Sequence, residues 1–367
     1  MNRRIPALVL GGSGYVAGEL LRLLAAHPVF RLAGVLSDSK PGEPVAASFG
    51  HLASVYPSEC FSSLPELQEI VGREPDVAIF SAAPHGASAA LIDALLKRAE
   101  TAPSAADAGA RRAPGAQGGV RVVDISADFR FPSAEAYEAV YRHPHGAPAR
   151  LASFTCAVPE HLAQPATAHV AHPGCFATAA LLAAVPLLAS RLVEPELFIA
   201  AITGSTGSGR KPVDGTHHPL RHSDLYAYNV LAHRHTPEIV ACALAASGVE
   251  ARCAFVPHSG PFARGIHLTL QARLRATRDG PQLLAALREF YAHSPFVRVQ
   301  AHAPRVKEVV ASNYAQLSAV SDGRSVAVLC ALDNLCKGAA GGAVQWMNRL
   351  FELPEDAGLT APAPGWT

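Results

Sequence analysis

One stretch near the N-terminus restricts the possible folds more than any other: IPALVLGGSGYVAGELLRLLAAHPVFRLAGVLS, Ile5 to Ser37. A short apolar run, IPALVL, meets a glycine-rich turn. Apolar residues then recur at Val16, Leu20, Leu23 and Leu24, the spacing of one helix face, until Pro28 stops the pattern. RLAGVLS reads as a second strand. The alternation repeats with DVAIFSA (Asp76–Ala82), a helical stretch from about Gly86 to Arg98, and RVVDIS (Arg121–Ser126). Strands alternating with helices predict a parallel sheet with right-handed crossovers. TAPSAADAGARRAPGAQGG (Thr101–Gly119) has no periodicity and reads as a surface insertion.

The first turn carries chemistry as well as geometry. GGSGYVAGEL places Gly12, Gly14 and Ala17 in a GxGxxA pattern where a strand turns into a helix. A helix N-terminus offers N–H groups and a partial positive charge, and glycines let a phosphate approach the backbone. This predicts a Rossmann dinucleotide-binding domain, with Gly11, Ser13, Gly14, Tyr15 and Val16 at the cofactor; the alternative is a merely structural βα turn. After the second strand, Asp38 suits the ribose hydroxyls of NAD, whereas Ser37, Ser39 and Lys40 suit the 2′-phosphate of NADP. These residues alone leave both open.

The middle of the chain has another texture. ARGIHLTLQARL alternates strictly, with Ile266, Leu268, Leu270, Ala272 and Leu274 on one side, as in a half-exposed antiparallel strand. ARCAFVP, FVRVQ, RVKEVV and SVAVLCAL are further strand candidates, and helices are expected after Cys175 and from about Gly280 to His293. The fold class is therefore α/β: a Rossmann domain plus a central α+β domain with a mixed sheet. NLCKGAAGGAVQWMNRLFEL reads as a last helix with Ala340, Val344, Met347 and Phe351 on one stripe, and PEDAGLTAPAPGWT as a disordered tail.

A length of 367 residues suits two domains, and a net charge of +1 gives no electrostatic reason to expect nucleic acid or an anionic membrane. The richest apolar run, Ala177 to Ala189, is interrupted by Pro186 and is too short to span a bilayer. Seven scattered cysteines without a CxxC pair fit a reducing cytoplasm.

Among them Cys175 stands out. In HPGCFATAALLAAVPLL it follows Pro173 and Gly174 at an expected helix start, where a thiolate is favoured and can act as a nucleophile. The bland alternative is a small apolar core residue. AHRHTPEI adds His233 and His235, the acid/base partner that thiol catalysis needs, or else surface and cap histidines. Four residues suit anionic oxygens: Ser205 and Arg210 in ITGSTGSGR, where a flexible loop is the alternative, Arg264 in PHSGPFARGI, where a structural turn entering the strand is the alternative, and Arg130 in DISADFR, where pairing with Asp128 is the alternative. HHPLRH (His217–His222) has no acid at ligand spacing, so no metal is expected.

Taken in order, these stretches resemble the N-acetyl-gamma-glutamyl-phosphate reductase family, semialdehyde-forming enzymes of arginine biosynthesis. The resemblance runs through GGSGYVAGEL, APHG (Ala83–Gly86), DISADFRF, VPE (Val158–Glu160), HPGCFATA, TGSTGSGR, YNVLAHRHTPEI, FVPHSGPFARGI and DNLCKGAAGGAVQWMN. It implies NADP(H) as cofactor, Cys175 as catalytic thiol and His233 as acid/base, with His235 beside it among the substrate- and phosphate-binding residues. Pro84, His85 and Asn334 would lie near the nicotinamide. It also implies a cofactor domain over 1–172 completed by the helix 334–352, and a catalytic and dimerisation domain over 173–333. The partners are then a small acyl-phosphate substrate, inorganic phosphate and further copies in a dimer or tetramer. Two departures stand out: His172 replaces the family's usual asparagine before Pro-Gly-Cys, and Asp38 stands where a basic residue is common. Rival readings are a related reductase of an N-succinyl-glutamyl, aminoadipyl or aspartyl phosphate, a Cys-His hydrolase or acyltransferase, and an inactive NADP sensor.

Overall fold

The computed structural model describes residues 4–102 and 119–365. The chain divides into two compact units. One comprises the described residues up to Cys156, Gln164–His172 and Ala343–Leu359; the other comprises Ala157–Ala163, Pro173–Gly342 and residues after Leu359. Residues 103–118, most of the expected insertion, lie outside the described part.

The first unit holds strands β1 (Ile5–Leu10), β2 (Phe30–Leu36), β3 (Val77–Ser81), β4 (Val120–Asp124), β5 (Phe154–Cys156) and β6 (His169–Ala171). Their order is β2-β1-β3-β4-β6-β5 and every pair is parallel, as the alternation predicts. Since β2 and β3 flank β1, the strand order reverses there, which opens a crevice at the carboxyl end of β1. Gly11 turns this corner with φ +75°, and a Cβ on it would sit 2.5 Å from the backbone of Ala83. A Cβ on Gly12 would sit 2.5 Å from Val35 Cγ1 and 2.8 Å from the carbonyl oxygen of Leu36. Both glycines are demanded by the closeness of the flanking strands.

The C-terminal segment joins this unit differently from expectation. Pro354–Leu359 is not a loose tail. Asn348 donates to the carbonyls of Glu355 and Ala357, and its Oδ1 lies 3.0 Å from His27 Nε2. Leu359 is buried. The polar composition hid this, because the partners that order the segment are His27 and Asn348, both remote from it in local pattern.

The second unit holds β7 (Val193–Thr203), β8 (Tyr226–Ala227), β9 (Arg252–Ser259), β10 (Ile266–Leu274), β11 (Val297–Val299), β12 (Ala315–Ser321) and β13 (Ser325–Leu332), in the order β11-β12-β13-β10-β7-β9-β8. The sheet is mixed: β7/β9 and β11/β12 are parallel and the other neighbours antiparallel. RVKEVV is not a strand; Val306–Glu308 forms one 3-10 turn, with Val306 filling the space beside Gly265. The strand in that region is β12, whose alternation is masked in the sequence by the buried Ser318.

The helix Cys175–Ala189 covers one face of this sheet and also packs against the helix Thr236–Ser247. Every residue from Phe176 to Leu188 is buried, which is why the segment is apolar all round. Burial of each leucine contributes about 1.5–3 kcal/mol. Pro186 lies inside the helix and does not end it. Proline has no N–H for the carbonyl four residues back, and here that carbonyl, on Leu182, accepts the Tyr291 hydroxyl at 2.7 Å. A double-mutant cycle checks this. Tyr291→Phe should cost about 1–3 kcal/mol, the cost of an unsatisfied buried acceptor. It should cost clearly less in a Pro186→Ala background, where the introduced alanine supplies the missing N–H. Equal costs in urea unfolding would refute the compensation.

Candidate active site

Cys175 is the first residue of its helix, after an extended Gly174 and with no side-chain cap. A thiol there lies at the positive end of the helix dipole, which favours a thiolate. The residue before it is held at both ends. Glu238, fully buried on the helix Thr236–Ser247, accepts the Gly174 N–H through Oε1. The Gly174 carbonyl accepts the Thr178 N–H at 2.7 Å and the Thr178 hydroxyl at 3.1 Å.

A second segment packs against the thiol from behind. Asp333 is fully buried, and its carboxylate accepts two nitrogens of Arg264 at 3.0 Å each. It also accepts the N–H groups of Ala311 at 2.6 Å and of Leu335 and Cys336 at 2.8 Å. Beyond this hub the expected last helix starts as a π turn, Cys336–Ala340, and only then becomes the α-helix Gly341–Leu350. Gly338 and Ala340 donate to the carbonyls five residues back, both at 2.9 Å. Such single π turns recur at functional sites. A Cβ on Gly338 would lie 2.7 Å from the Cβ of Cys175, so the thiol residue rests on bare backbone.

Phe176 gathers the histidines. Its ring meets His233 edge-on at 5.7 Å and His235 at 6.3 Å, and the two imidazoles lie 4.7 Å apart. Burial first, and the Arg234 guanidinium second, push the His233 pKa down to about 4, so the ring is neutral at neutral pH. Its Nδ1 accepts the His235 N–H at 3.1 Å, which leaves the proton of the neutral ring on Nε2. Tyr228 lies 5.6 Å from His233; burial and then the charge of Cys175 push its phenol up.

The anion candidates divide. Ser205 begins the 3-10 turn Ser205–Ser208, and Arg210 is exposed just after it, on the same glycine-rich loop. Arg264 is engaged by Asp333. Arg130, in the first unit, is buried and donates to the carbonyls of Ile125 at 2.7 Å and His172 at 3.0 Å. Asn334 joins two loops, accepting the Gly265 N–H at 2.7 Å and donating to Thr206 Oγ1 at 3.0 Å. His172, the departure noted above, is fully buried and donates its N–H to the Asp124 carbonyl at 2.7 Å.

The first unit fits a dinucleotide. The helix Tyr15–Ala25 starts at Gly14 without a side-chain cap, and a Cβ on Gly14 would meet only the Gly11 carbonyl, at 3.7 Å. That leaves room for a pyrophosphate at the helix start beside Ser13, Tyr15 and Val16. Ser37 is buried with its hydroxyl 3.4 Å from Ser39, Asp38 is exposed, and Lys40 pairs with Glu43 at 3.4 Å. Pro84 and His85 lie in a turn pinned by Asp128, which accepts the N–H groups of Gly86 at 2.8 Å and Ala89 at 2.9 Å.

Glu238, Tyr228 and Gly338 escaped the sequence reading. Glu238 looks like an ordinary helix-start acid, and Gly338 is one glycine among several in KGAAGG. Their places become visible only when distant segments meet.

Two family models match: semialdehyde dehydrogenase, NAD binding domain, over residues 6–161, and semialdehyde dehydrogenase, dimerisation domain, over 175–334. Relatives named N-acetyl-gamma-glutamyl-phosphate reductase include that of Symbiobacterium thermophilum, 38% identical over 97% of this chain and 97% of its own. Those of Methanopyrus kandleri and Desulforudis audaxviator are 38% and 37% identical over 96% of this chain and 97% of theirs. Aspartate semialdehyde dehydrogenase II from Vibrio cholerae, solved with ASA, shares the fold: TM-score 0.67 at 14% identity, covering 95% of this chain and 98% of that one. The enzyme from Candida albicans, solved with NADP, gives 0.63 at 12% over the same shares.

The buried imidazoles make stability depend on acidity. Burial pushes His161, His169 and His233 from 6.5 down to about 4. In that window the unfolded chain binds more protons than the folded one, so their contribution is full above 6.5 and lost as pH falls through 4. Asp124, raised from 3.8 to about 6 by burial and then by Asp128, pulls the other way, but it is one group against three. The urea midpoint should therefore fall as pH drops from 6.5 to 4. A midpoint that holds or rises across that interval would contradict the assignment.

Proposed function

The chain belongs to the semialdehyde dehydrogenase family, among the N-acetyl-gamma-glutamyl-phosphate reductases, and from that membership we propose how its own residues carry the reaction. The reaction is the NADPH-dependent reduction of N-acetyl-gamma-glutamyl phosphate to N-acetylglutamate 5-semialdehyde and phosphate, a step in arginine biosynthesis. The observation that carries the reading is the seat of Cys175: first residue of a helix, with Gly174 held by Glu238 and Thr178 and with Gly338 behind it.

The Cys175 thiolate attacks the acyl carbon. A sulfur–carbon bond forms, the carbon–oxygen bond to phosphate breaks, and phosphate leaves from a thioester. Bound NADPH supplies the hydride that this thioester needs. The carbon–sulfur bond then breaks as the aldehyde carbonyl re-forms, and the thiolate is regenerated. The proton given up by the Cys175 thiol reaches the departing phosphate through solvent, and His233, neutral with its proton on Nε2, hydrogen-bonds to the oxygen that gains charge without losing that proton. Backbone N–H groups of the first helical turn stabilise the oxyanion of each tetrahedral stage. Ser205 and Arg210 bind the anionic substrate or phosphate. His235 steadies His233 through its N–H. Arg264 supports the loop that carries Asp333, and Arg130 ties together the segments after β4 and β6 in the first unit.

The first unit binds NADP(H). Gly11, Ser13, Gly14, Tyr15 and Val16 receive the pyrophosphate, Ser37 the adenosine ribose, and Pro84 and His85 lie toward the nicotinamide. The second unit carries catalysis and self-association. Its sheet has one face covered by the helices Cys175–Ala189 and Gly280–Phe290, while on the other Phe198 is 52% and Val320 53% exposed. A second copy of the chain covers this face. No helix among the described residues is long and apolar enough to cross a membrane. The seven cysteines form no disulfide with one another, in keeping with the reducing cytoplasm read from the sequence.

Two measurements test this. With N-acetylglutamate semialdehyde, NADP and phosphate, the reverse reaction should raise NADPH absorbance. Cys175→Ser should lose at least about a thousandfold in kcat while binding NADP as before. Wild-type turnover by that variant would end the covalent mechanism, and preference for an N-succinyl, aminoadipyl or aspartyl substrate would reassign the acyl chain. Separately, Phe198→Glu with Val320→Glu should shift sedimentation toward the monomer; an unchanged oligomer would place the contact elsewhere.

A further inference from the structure

Near the nucleophile lies a buried polar chain that the reaction as described does not use. It starts from the 3-10 turn Pro159–His161, in the VPE motif. Lys337 donates Nζ to Glu160 Oε1 at 2.6 Å, with the two side chains 0% and 1% exposed. The same ammonium lies 5.7 Å from the Phe296 ring centre. The next residue along, His161, has Nε2 3.0 Å from the Tyr291 hydroxyl, which donates to the Leu182 carbonyl. One turn therefore grips two elements. Through Glu160 it holds the π turn Cys336–Ala340, and through His161 and Tyr291 it holds the nucleophile's helix where Pro186 leaves a carbonyl to be bonded.

A buried ion pair is weak evidence for stability, since well-packed apolar residues of the same size are often as stable or more so. What such a pair does well is fix geometry. Lys337 directly precedes Gly338, whose backbone meets the Cβ of Cys175 with no room for a methyl group. We propose that Glu160 and Lys337 are positioning residues, whose buried ion pair sets where the π turn lies and so where Gly338 holds the Cys175 thiol. The inference rests on the reading of Cys175 as the nucleophile.

The double variant Glu160→Gln/Lys337→Met removes both charges at similar volume and leaves no lone buried ion. Two quantities are measured on the full-length enzyme at 25 °C: kcat and KM, and the pH profile of Cys175 alkylation by iodoacetamide, read on the Cys175 peptide by mass spectrometry. Expected are a displaced alkylation profile and a kcat lower by on the order of 100-fold, the cost of roughly an ångström of misplacement, with KM for NADP unchanged. A purely structural pair would lower Tm yet leave the alkylation profile and kcat as in wild type, and that result overturns the proposal. Should the double variant not fold, Glu160→Gln alone keeps the shape and an acceptor for Lys337. The same displacement, smaller in size, is then expected, and a wild-type profile again overturns the proposal. Alkylation does not need the proposed substrate. An unchanged profile therefore defeats the positioning role alone, whereas turnover by Cys175→Ser defeats the reading beneath it.

Discussion

The contact between the backbone of Gly338 and Cys175 is the constraint around which the second unit is organised. A helix start alone leaves the side of its first residue free. Here that side is closed by the bare backbone of Gly338, where an added Cβ would stand 2.7 Å from the Cβ of Cys175. Bringing backbone that close requires the chain after β13 to turn tightly and stay turned. The buried Asp333 carboxylate does this by taking five donors, and the π-type bonds of Gly338 and Ala340 widen the turn that follows. The N–H groups of the buried Leu335 and Cys336 would otherwise be unsatisfied, so the arrangement holds as a whole.

The same logic appears in the first unit with other parts. Gly11 and Gly12 exist because β1 runs so close to its two neighbours that no side chain fits at its end. Asp128 holds the turn after β3, and Arg130 holds the carbonyls of Ile125 and His172. His172 stands where the resemblance leads one to expect asparagine. Its backbone is bonded at both ends, the N–H to the Asp124 carbonyl and the carbonyl to Arg130.

Much of the fold was legible from pattern. Apolar runs alternating with period-3.6 stretches identified the parallel sheet, and period-2 alternation identified strand β10, because burial on one face leaves that period in the residues; the helix after Cys175, buried all round, showed as a continuous apolar run. The misreadings share a cause. RVKEVV has strand composition, but Val306 is spent filling the space beside Gly265. β12 was overlooked because Ser318 faces the core. The helix through Pro186 and the packed Pro354–Leu359 segment depend on partners far away in sequence, Tyr291 for one and His27 for the other.

The candidate site divides in the same manner. Residue chemistry by itself determined the parts list: a thiol after Pro-Gly at a helix start, two histidines before another helix, and a glycine turn between strand and helix. Those signals are local, since dihedral freedom, helix dipoles and periodicity act over a few residues. Only the tertiary structure decided how the parts are used. It committed Arg264 to Asp333, gave Glu238 the amide before Cys175, set the His233 tautomer, and joined Glu160 to Lys337 across 177 positions of chain. Hydrogen bonds and ion pairs of that kind leave no periodic trace, because either partner could stand almost anywhere in the sequence and still meet the other in the folded chain.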